Sequence, residues 1–126
     1  MTLTISNESP AALAASLRAT SSPAKPAYMI VYASLVNGRS WCPDCVRAEP
    51  LINEKFKDSA DTVPIVYLER DAWRTQDNIW KQQPFAIPKL PTLVKATGDR
   101  DWEYLVEEDV YDQKKLDAFV GTASKK

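Results

Sequence analysis

Residues 28–36 (YMIVYASLV) form an apolar run in the first third of the chain. A strand that is apolar at successive positions has both of its faces covered, because neither face can tolerate water. A second run of the same character occupies residues 63–68 (VPIVYL), and a short alternating stretch at residues 2–5 adds a first strand. Helices must therefore pack on both sides of the sheet that these strands form.

Helix signals stand on both sides of the first apolar run. Ser9 and Pro10 have the pattern of an N-cap followed by proline at the first helical position, which predicts a helix through about Arg18. The apolar residues after the cysteines recur at the spacing of one helix face: Ala48, Leu51, Ile52 and Phe56. They predict a second helix over about residues 42–58, with Pro50 inside it.

The last third of the chain predicts a hairpin and a final helix. Residues 88–96 (PKLPTLVKA) indicate a turn and a strand, and Gly98 with Asp99 indicates a tight turn into a strand over residues 102–107. Asp112 is placed to cap the last helix. We expect one domain over residues 1–126, an α/β fold with a central mixed β-sheet flanked by helices on both faces.

Composition excludes several classes of protein. The 16 basic and 17 acidic residues leave a net charge of −1, which argues against nucleic acid as the main partner. No apolar run approaches the roughly 20 residues that span a bilayer, so we expect no membrane partner. The start of the chain (MTLTISNESP) lacks the basic and apolar regions of a secretory signal. We expect a monomer in the cytoplasm.

Both cysteines lie in one short stretch, residues 40–45 (SWCPDC). The pair is a redox centre, half of a metal site or a structural disulfide. Structural disulfides are rare in the cytosol, which disfavours that role. The absence of histidine disfavours a metal site. A helix that begins at the pair presents unpaired N–H groups and the positive end of its dipole. They would stabilise a thiolate at Cys42, the nucleophile, and Cys45 one turn later would resolve the mixed disulfide.

The neighbours of the cysteines have roles that the sequence leaves open. Pro43 suits the first helical turn, where no N–H partner is required. Asp44 suits the helix dipole but opposes a nearby thiolate, and it is also a candidate proton acceptor for Cys45. The Ser40 hydroxyl is either a donor to a thiolate or an ordinary loop group, and Trp41 either covers the helix end or shapes the substrate surface.

These features together resemble the thioredoxin fold. The residues that carry the resemblance are a strand, a WCxxC motif opening a proline-containing helix, and a later strand preceded by LPT at residues 90–92. In that family the proline facing the motif is cis, so the resemblance assigns this role to Pro91, rather than to the weaker candidate Pro88, and assigns substrate contacts to Leu90 and Pro91. The pair Pro-Asp between the cysteines is similar to the fourteen-kilodalton thioredoxin-related proteins, the thioredoxin domain-containing protein 17 family.

The resemblance implies a cytosolic disulfide reductase that binds no cofactor and takes electrons from NADPH through its partner thioredoxin reductase. It implies activity toward small disulfides such as cystine, or toward selected proteins. One departure concerns proton transfer: thioredoxins place a buried aspartate in the strand before the motif, whereas residues 28–36 contain no acid. Resolution by Cys45 would then use water, Asp44 or an acid from elsewhere in the chain.

Two other functions remain open at this stage. A binding module without turnover would use an exposed aromatic patch, for which the candidates are Trp41, Trp73, Trp80 and Phe85. A bridged dimer would share a metal or an iron–sulfur cluster, because two thiolates are too few ligands for a monomeric site. A peroxidase is weaker still, since the cysteine spacing favours internal disulfide exchange.

Overall fold

The computed structural model describes most of the chain. The described residues are 3–33, 35–36, 39–40, 42–57, 63–75, 77–82, 84–98 and 102–120, with the backbone alone at residues 35–36, 39–40 and 70–71.

Strands in the described residues form one large sheet and one small hairpin. Their bounds are β1 Leu3–Ile5, β2 Ala27–Ala33, β3 Leu35–Val36, β4 Arg39–Ser40, β5 Val63–Leu68, β6 Thr92–Ala96 and β7 Glu103–Val106. The large sheet has the order β1-β5-β2-β6-β7, and β3 pairs with β4. The β1–β5 and β5–β2 pairs are parallel, whereas β2–β6 and β6–β7 are antiparallel, so the sheet is mixed as predicted.

Helices connect these strands. They are α1 Pro10–Thr20, α2 Pro43–Phe56, α3 Arg70–Arg74 and α4 Gln113–Val120, with short 3₁₀ turns at Ile79–Lys81 and Glu107–Asp109. Two predicted caps are confirmed: the Ser9 hydroxyl accepts the Ala12 N–H at 3.2 Å, and an Asp112 carboxylate oxygen accepts the Lys114 N–H at 3.1 Å. These side chains satisfy N–H groups that have no partner inside the helix, which is why the helices begin there.

The central strand β2 holds the core together. Tyr28 to Ala33 are all buried, so both faces of β2 are covered. On one face the Tyr28 ring contacts Phe56 of α2, with 5.3 Å between ring centroids, and its hydroxyl donates to the Val120 carbonyl of α4 at 2.9 Å. Helix α1 also packs against β2. The predicted α/β architecture is therefore confirmed.

The segment before the cysteines differs from the prediction. Strand β2 ends at Ala33 instead of continuing to residue 36, and the expected loop contains the hairpin of β3 and β4, in which Leu35 pairs with Ser40 and Val36 with Arg39. An apolar run does not show where a strand turns back on itself, so the periodicity could not place this hairpin. The hairpin leads the chain from the end of β2 to the start of α2.

Core packing gives the first testable prediction. Ile52 of α2 is fully buried, whereas Ile79 is 57% exposed. Replacing Ile52 by alanine leaves a cavity and should lower the free energy of unfolding by about 2–5 kcal/mol. The same change at Ile79 should cost less than about 0.5 kcal/mol. Urea denaturation followed by circular dichroism measures both, and equal losses would contradict the packing of α2 described here.

Candidate functional site

The two cysteines lie where α2 begins. Cys42 has an extended backbone and caps the helix, and Pro43 is the first helical residue. The sequence predicted this arrangement, with the helix starting one residue earlier. Proline there leaves no N–H unpaired, and its fixed φ suits the first turn. The structure describes both cysteines as thiols.

Cys42 is surrounded by donors that favour its thiolate. Its Sγ accepts the Cys45 N–H at 3.3 Å. The Cys45 thiol is the largest influence lowering the Cys42 pKa, helped by the backbone N–H groups of Cys45 and Asp44; burial and the Asp44 carboxylate act in the opposite direction. The donors dominate, and the pKa falls from 9.0 to about 7. Near neutral pH a large fraction of Cys42 is therefore the nucleophilic thiolate.

Cys45 is held in a different environment. Its side chain is fully buried, and its Sγ accepts the N–H of Ala33, the last residue of β2, at 3.3 Å. Cys42 is only partly buried. An external disulfide can therefore reach Cys42 but not Cys45. The roles of nucleophile and resolving thiol stay predictions.

The loop before β6 faces the cysteines. The Leu90–Pro91 peptide bond is cis, as predicted for Pro91, and it is the cis bond found among the described residues. The Cys42 thiol lies 3.8 Å from the Leu90 carbonyl oxygen, to which it donates a long hydrogen bond. The Pro91 carbonyl accepts the Glu107 N–H at 2.8 Å, which ties this loop to the 3₁₀ turn after β7. The backbone of Leu90 is thus placed beside the reactive sulfur.

The Asp44 carboxylate contacts Tyr111 and Arg47. One of its carboxylate oxygens accepts the Tyr111 hydroxyl at 3.1 Å and lies 3.6 Å from an Arg47 guanidinium nitrogen. The Arg47 guanidinium also lies 5.8 Å from the centroid of the Tyr111 ring. Tyr111 and Arg47 meet the same carboxylate oxygen, so Asp44 is held between α2 and the segment that follows the turn at Glu107–Asp109.

Sequence reasoning missed three residues of this site. Tyr111 reaches Asp44 from 67 positions away, and no local pattern could have revealed it. Glu49 follows Cys45 by one helical turn, a spacing that was visible in the sequence. Tyr32 lies in β2 with its hydroxyl buried and without a hydrogen-bond partner among the described residues. The high β-propensity of tyrosine was enough to explain Tyr32 in a strand, so the sequence did not reveal that Tyr32 lies near Cys45.

Two predicted site residues lie wholly or partly outside the described structure. Trp41 lies outside the described residues. The Ser40 backbone pairs with Leu35 in the β3–β4 hairpin, but its hydroxyl also lies outside the described structure. Their proposed roles beside the thiols stay predictions.

The aromatic patch expected of a binding module does not form from Trp80 and Phe85. Both are buried, and their rings stack at a centroid distance of 5.7 Å. Trp73 is partly buried, with the Lys81 ammonium 4.7 Å from its ring centroid. In the described part of the chain, no three Cys, Asp or Glu residues cluster as metal ligands would, and no helix is both long and apolar enough to cross a bilayer.

The Cys42 environment predicts a measurable titration. The rate of alkylation by iodoacetamide should rise with pH through a midpoint of about 7. In the Cys45→Ala variant the midpoint should move upward, because the thiol that donates to the Cys42 thiolate is lost. The Cys42→Ser variant is the control and should lack this phase. A wild-type midpoint near the ordinary thiol value would contradict the hydrogen bonding described above.

The Asp44 contacts predict the sign of its influence on Cys42. Asp44→Asn should lower the Cys42 pKa further, because the carboxylate raises it in the wild type. Tyr111→Phe keeps the negative charge and serves as a control that removes only the hydrogen bond. The same alkylation profile measures both variants. A higher pKa in Asp44→Asn would show that Asp44 helps to stabilise the thiolate.

Solved structures support the fold independently of the motif. The chain superposes on a reduced thioredoxin pre-protein of Schistosoma mansoni with a TM-score of 0.57, covering 92% of this chain and 95% of the other at 14% identity. Such low identity bears on the fold alone. It agrees with a thioredoxin-like fold.

Sequence comparisons identify the family. The chain is 39% identical over 66 residues to the thioredoxin-like protein Clot of Arabidopsis thaliana, which is 49% of each protein. It is 38% identical over 61 residues to thioredoxin domain-containing protein 17 of Mus musculus, covering 46% of this chain and 49% of that protein. The matched segments span about half the length of these relatives. The family model described as "Thioredoxin domain-containing protein 17-like, thioredoxin domain" matches residues 9–121, and the chain belongs to this family.

Proposed function

We propose that this protein is a cytosolic thiol–disulfide oxidoreductase that reduces disulfides with the Cys42/Cys45 dithiol. The observation that carries the proposal is the difference between the two thiols. Cys42 is accessible and has a pKa of about 7, whereas Cys45 is buried within hydrogen-bonding distance of it. Cys42 is thus the thiol that attacks the substrate, and Cys45 is the thiol that resolves the mixed disulfide. Family membership supports a thioredoxin-like redox function.

The reaction has two steps. The Cys42 thiolate attacks one sulfur of the substrate disulfide, forming a mixed disulfide and expelling the first substrate thiolate with the bonding electron pair. Cys45 then loses its proton and attacks the Cys42 sulfur, which expels the second substrate thiolate and leaves a Cys42–Cys45 disulfide. The substrate gains two electrons, and the protein dithiol is oxidised by two electrons.

The loop at Leu90 and Pro91 supports a substrate-binding role. Its backbone lies beside Cys42, at the position where the disulfide of a substrate must approach. We propose small disulfides such as cystine, or selected proteins, as substrates. We also propose that the protein acts as a monomer.

The proposed electron source is NADPH through thioredoxin reductase. No cofactor is required within the chain, because the two thiols carry both electrons themselves. The reductase would attack the Cys42–Cys45 disulfide and regenerate the dithiol. Attack would occur at Cys42, since Cys45 is fully buried.

A coupled assay tests this function. The oxidised protein is mixed with NADPH and thioredoxin reductase, and NADPH oxidation is followed with cystine, insulin or hydrogen peroxide as the terminal acceptor. We expect turnover with cystine and much less with insulin or peroxide. Cys42→Ser should abolish turnover, and Cys45→Ser should stop at a mixed disulfide that mass spectrometry detects.

A second measurement tests the disulfide chemistry of the protein without thioredoxin reductase. The protein is reduced chemically, freed of reductant and mixed with cystine, and its remaining thiols are counted. Loss of two thiols without turnover in the coupled assay would retain the disulfide chemistry and reject thioredoxin reductase as the partner. No loss of thiols with any of the disulfides would overturn the proposed function.

A further inference from the structure

The buried thiol of Cys45 requires a proton acceptor. Only its thiolate can attack the mixed disulfide, yet burial in apolar surroundings disfavours that charge. Tyr111 and Arg47 both contact one oxygen of Asp44, and β2 carries no acid. A second carboxylate within reach of the Cys45 sulfur would supply a base for the second step.

Glu49 is placed to do so. It lies four residues after Cys45 on α2, and side chains at this spacing project from the same face of a helix, with Cβ atoms about 5–6 Å apart. Glu49 is partly buried, and burial raises its pKa above the ordinary carboxyl value. A carboxylate with a raised pKa is a stronger base than an exposed one, which suits proton transfer near neutral pH.

Two tyrosines interact with both Glu49 and Cys45. Tyr32 of β2 and Tyr67 of β5 stack with 5.9 Å between ring centroids. Burial raises the pKa of each phenol most, the Glu49 carboxylate raises it next, and Cys45 contributes a smaller increase. The same pair of phenols therefore lies close to both Glu49 and Cys45. The strand that carries Tyr32 also donates the Ala33 N–H to the Cys45 sulfur.

We propose that the Glu49 carboxylate is the proton acceptor for Cys45 in the second step of disulfide reduction. This inference rests on the proposed function. The Cys45 S–H bond breaks and its proton passes to a Glu49 carboxylate oxygen. The Cys45 thiolate then forms the bond to the Cys42 sulfur, while the bond from Cys42 to the substrate sulfur breaks and its electron pair leaves with the substrate. Glu49 afterwards returns its proton to solvent or to Cys45 on re-reduction.

The test resolves the two steps with an aromatic disulfide, 5,5′-dithiobis(2-nitrobenzoate), at one equivalent. Attack by Cys42 releases one coloured thiolate, and attack by Cys45 on the mixed disulfide releases the second, so stopped-flow absorbance gives both rates. The variant is Glu49→Gln, which keeps the shape and removes the base. The matched control is Glu54→Gln on the same helix, where Glu54 is 72% exposed and pairs with Lys57 at 3.0 Å.

In Glu49→Gln the first phase should stay within about twofold of wild type. The second phase should slow by about a hundredfold or more at neutral pH, which is the usual loss when a general base is removed. The defect should shrink as pH rises, because hydroxide then supplies the Cys45 thiolate. In the described part of the chain, Tyr32 and Tyr67 are titratable groups near Glu49, and Cys45 lies one helical turn away. The raised pKa values of the two phenols keep them protonated in this range. Glu54→Gln should resemble wild type.

A second phase in Glu49→Gln that equals wild type at every pH would overturn the inference. A slow second phase with the same deficit at every pH would also overturn it, because it would indicate displaced structure rather than a lost base. If wild type releases neither thiolate, the proposed function itself fails, which is a distinct outcome.

A measurement on the wild-type protein tests the inference even if the Glu49→Gln variant does not fold. Carbon NMR of the Glu49 carboxyl gives its pKa in the dithiol and disulfide forms. Coupling to the Cys45 proton requires the two values to differ, and equal values would overturn the inference.

Discussion

The hydrogen bond from the Cys45 N–H to the Cys42 sulfur organises the whole site. It exists because α2 begins at Pro43, so the first N–H groups of the helix lack carbonyl partners and turn toward the residue that caps it. The same first turn buries Cys45 against the end of β2, where Ala33 donates to its sulfur. A single helix terminus therefore exposes one thiol to substrate, lowers its pKa and holds the second thiol within reach.

The rest of the fold serves to keep that terminus in place. Phe56 at the far end of α2 packs on Tyr28 of β2, and Tyr28 also donates to the last described carbonyl of α4, at Val120. The loop with the cis Leu90–Pro91 bond is tied to the turn after β7 by the bond from Glu107 to Pro91. Each side of the cysteine pair is thus fixed to the central sheet by a contact outside the pair itself.

Local signals in the sequence were sufficient for much of this architecture. Ser9 and Asp112 reveal helix starts because capping depends on neighbouring residues, and the VPIVYL run gave the bounds of β5 without error. Non-local geometry was not accessible in this way. The contact of Tyr111 with Asp44 depends on how the turn after β7 meets α2, and the hairpin of β3 and β4 interrupts a run whose hydrophobicity suggested one strand.

The position of Glu49 on α2, rather than on β2, affects how constant its distance from Cys45 is. Glu49 and Cys45 belong to the same rigid element, so their separation is set by helix geometry and does not change if α2 shifts against the sheet. An acid on β2 would face Cys45 across the helix–sheet interface, and any such shift would alter the distance of proton transfer. Tyr32 occupies that strand, and its phenol interacts electrostatically with Glu49 and with Cys45. Burial raises the Glu49 pKa, which brings its basicity closer to that of the thiol it would deprotonate.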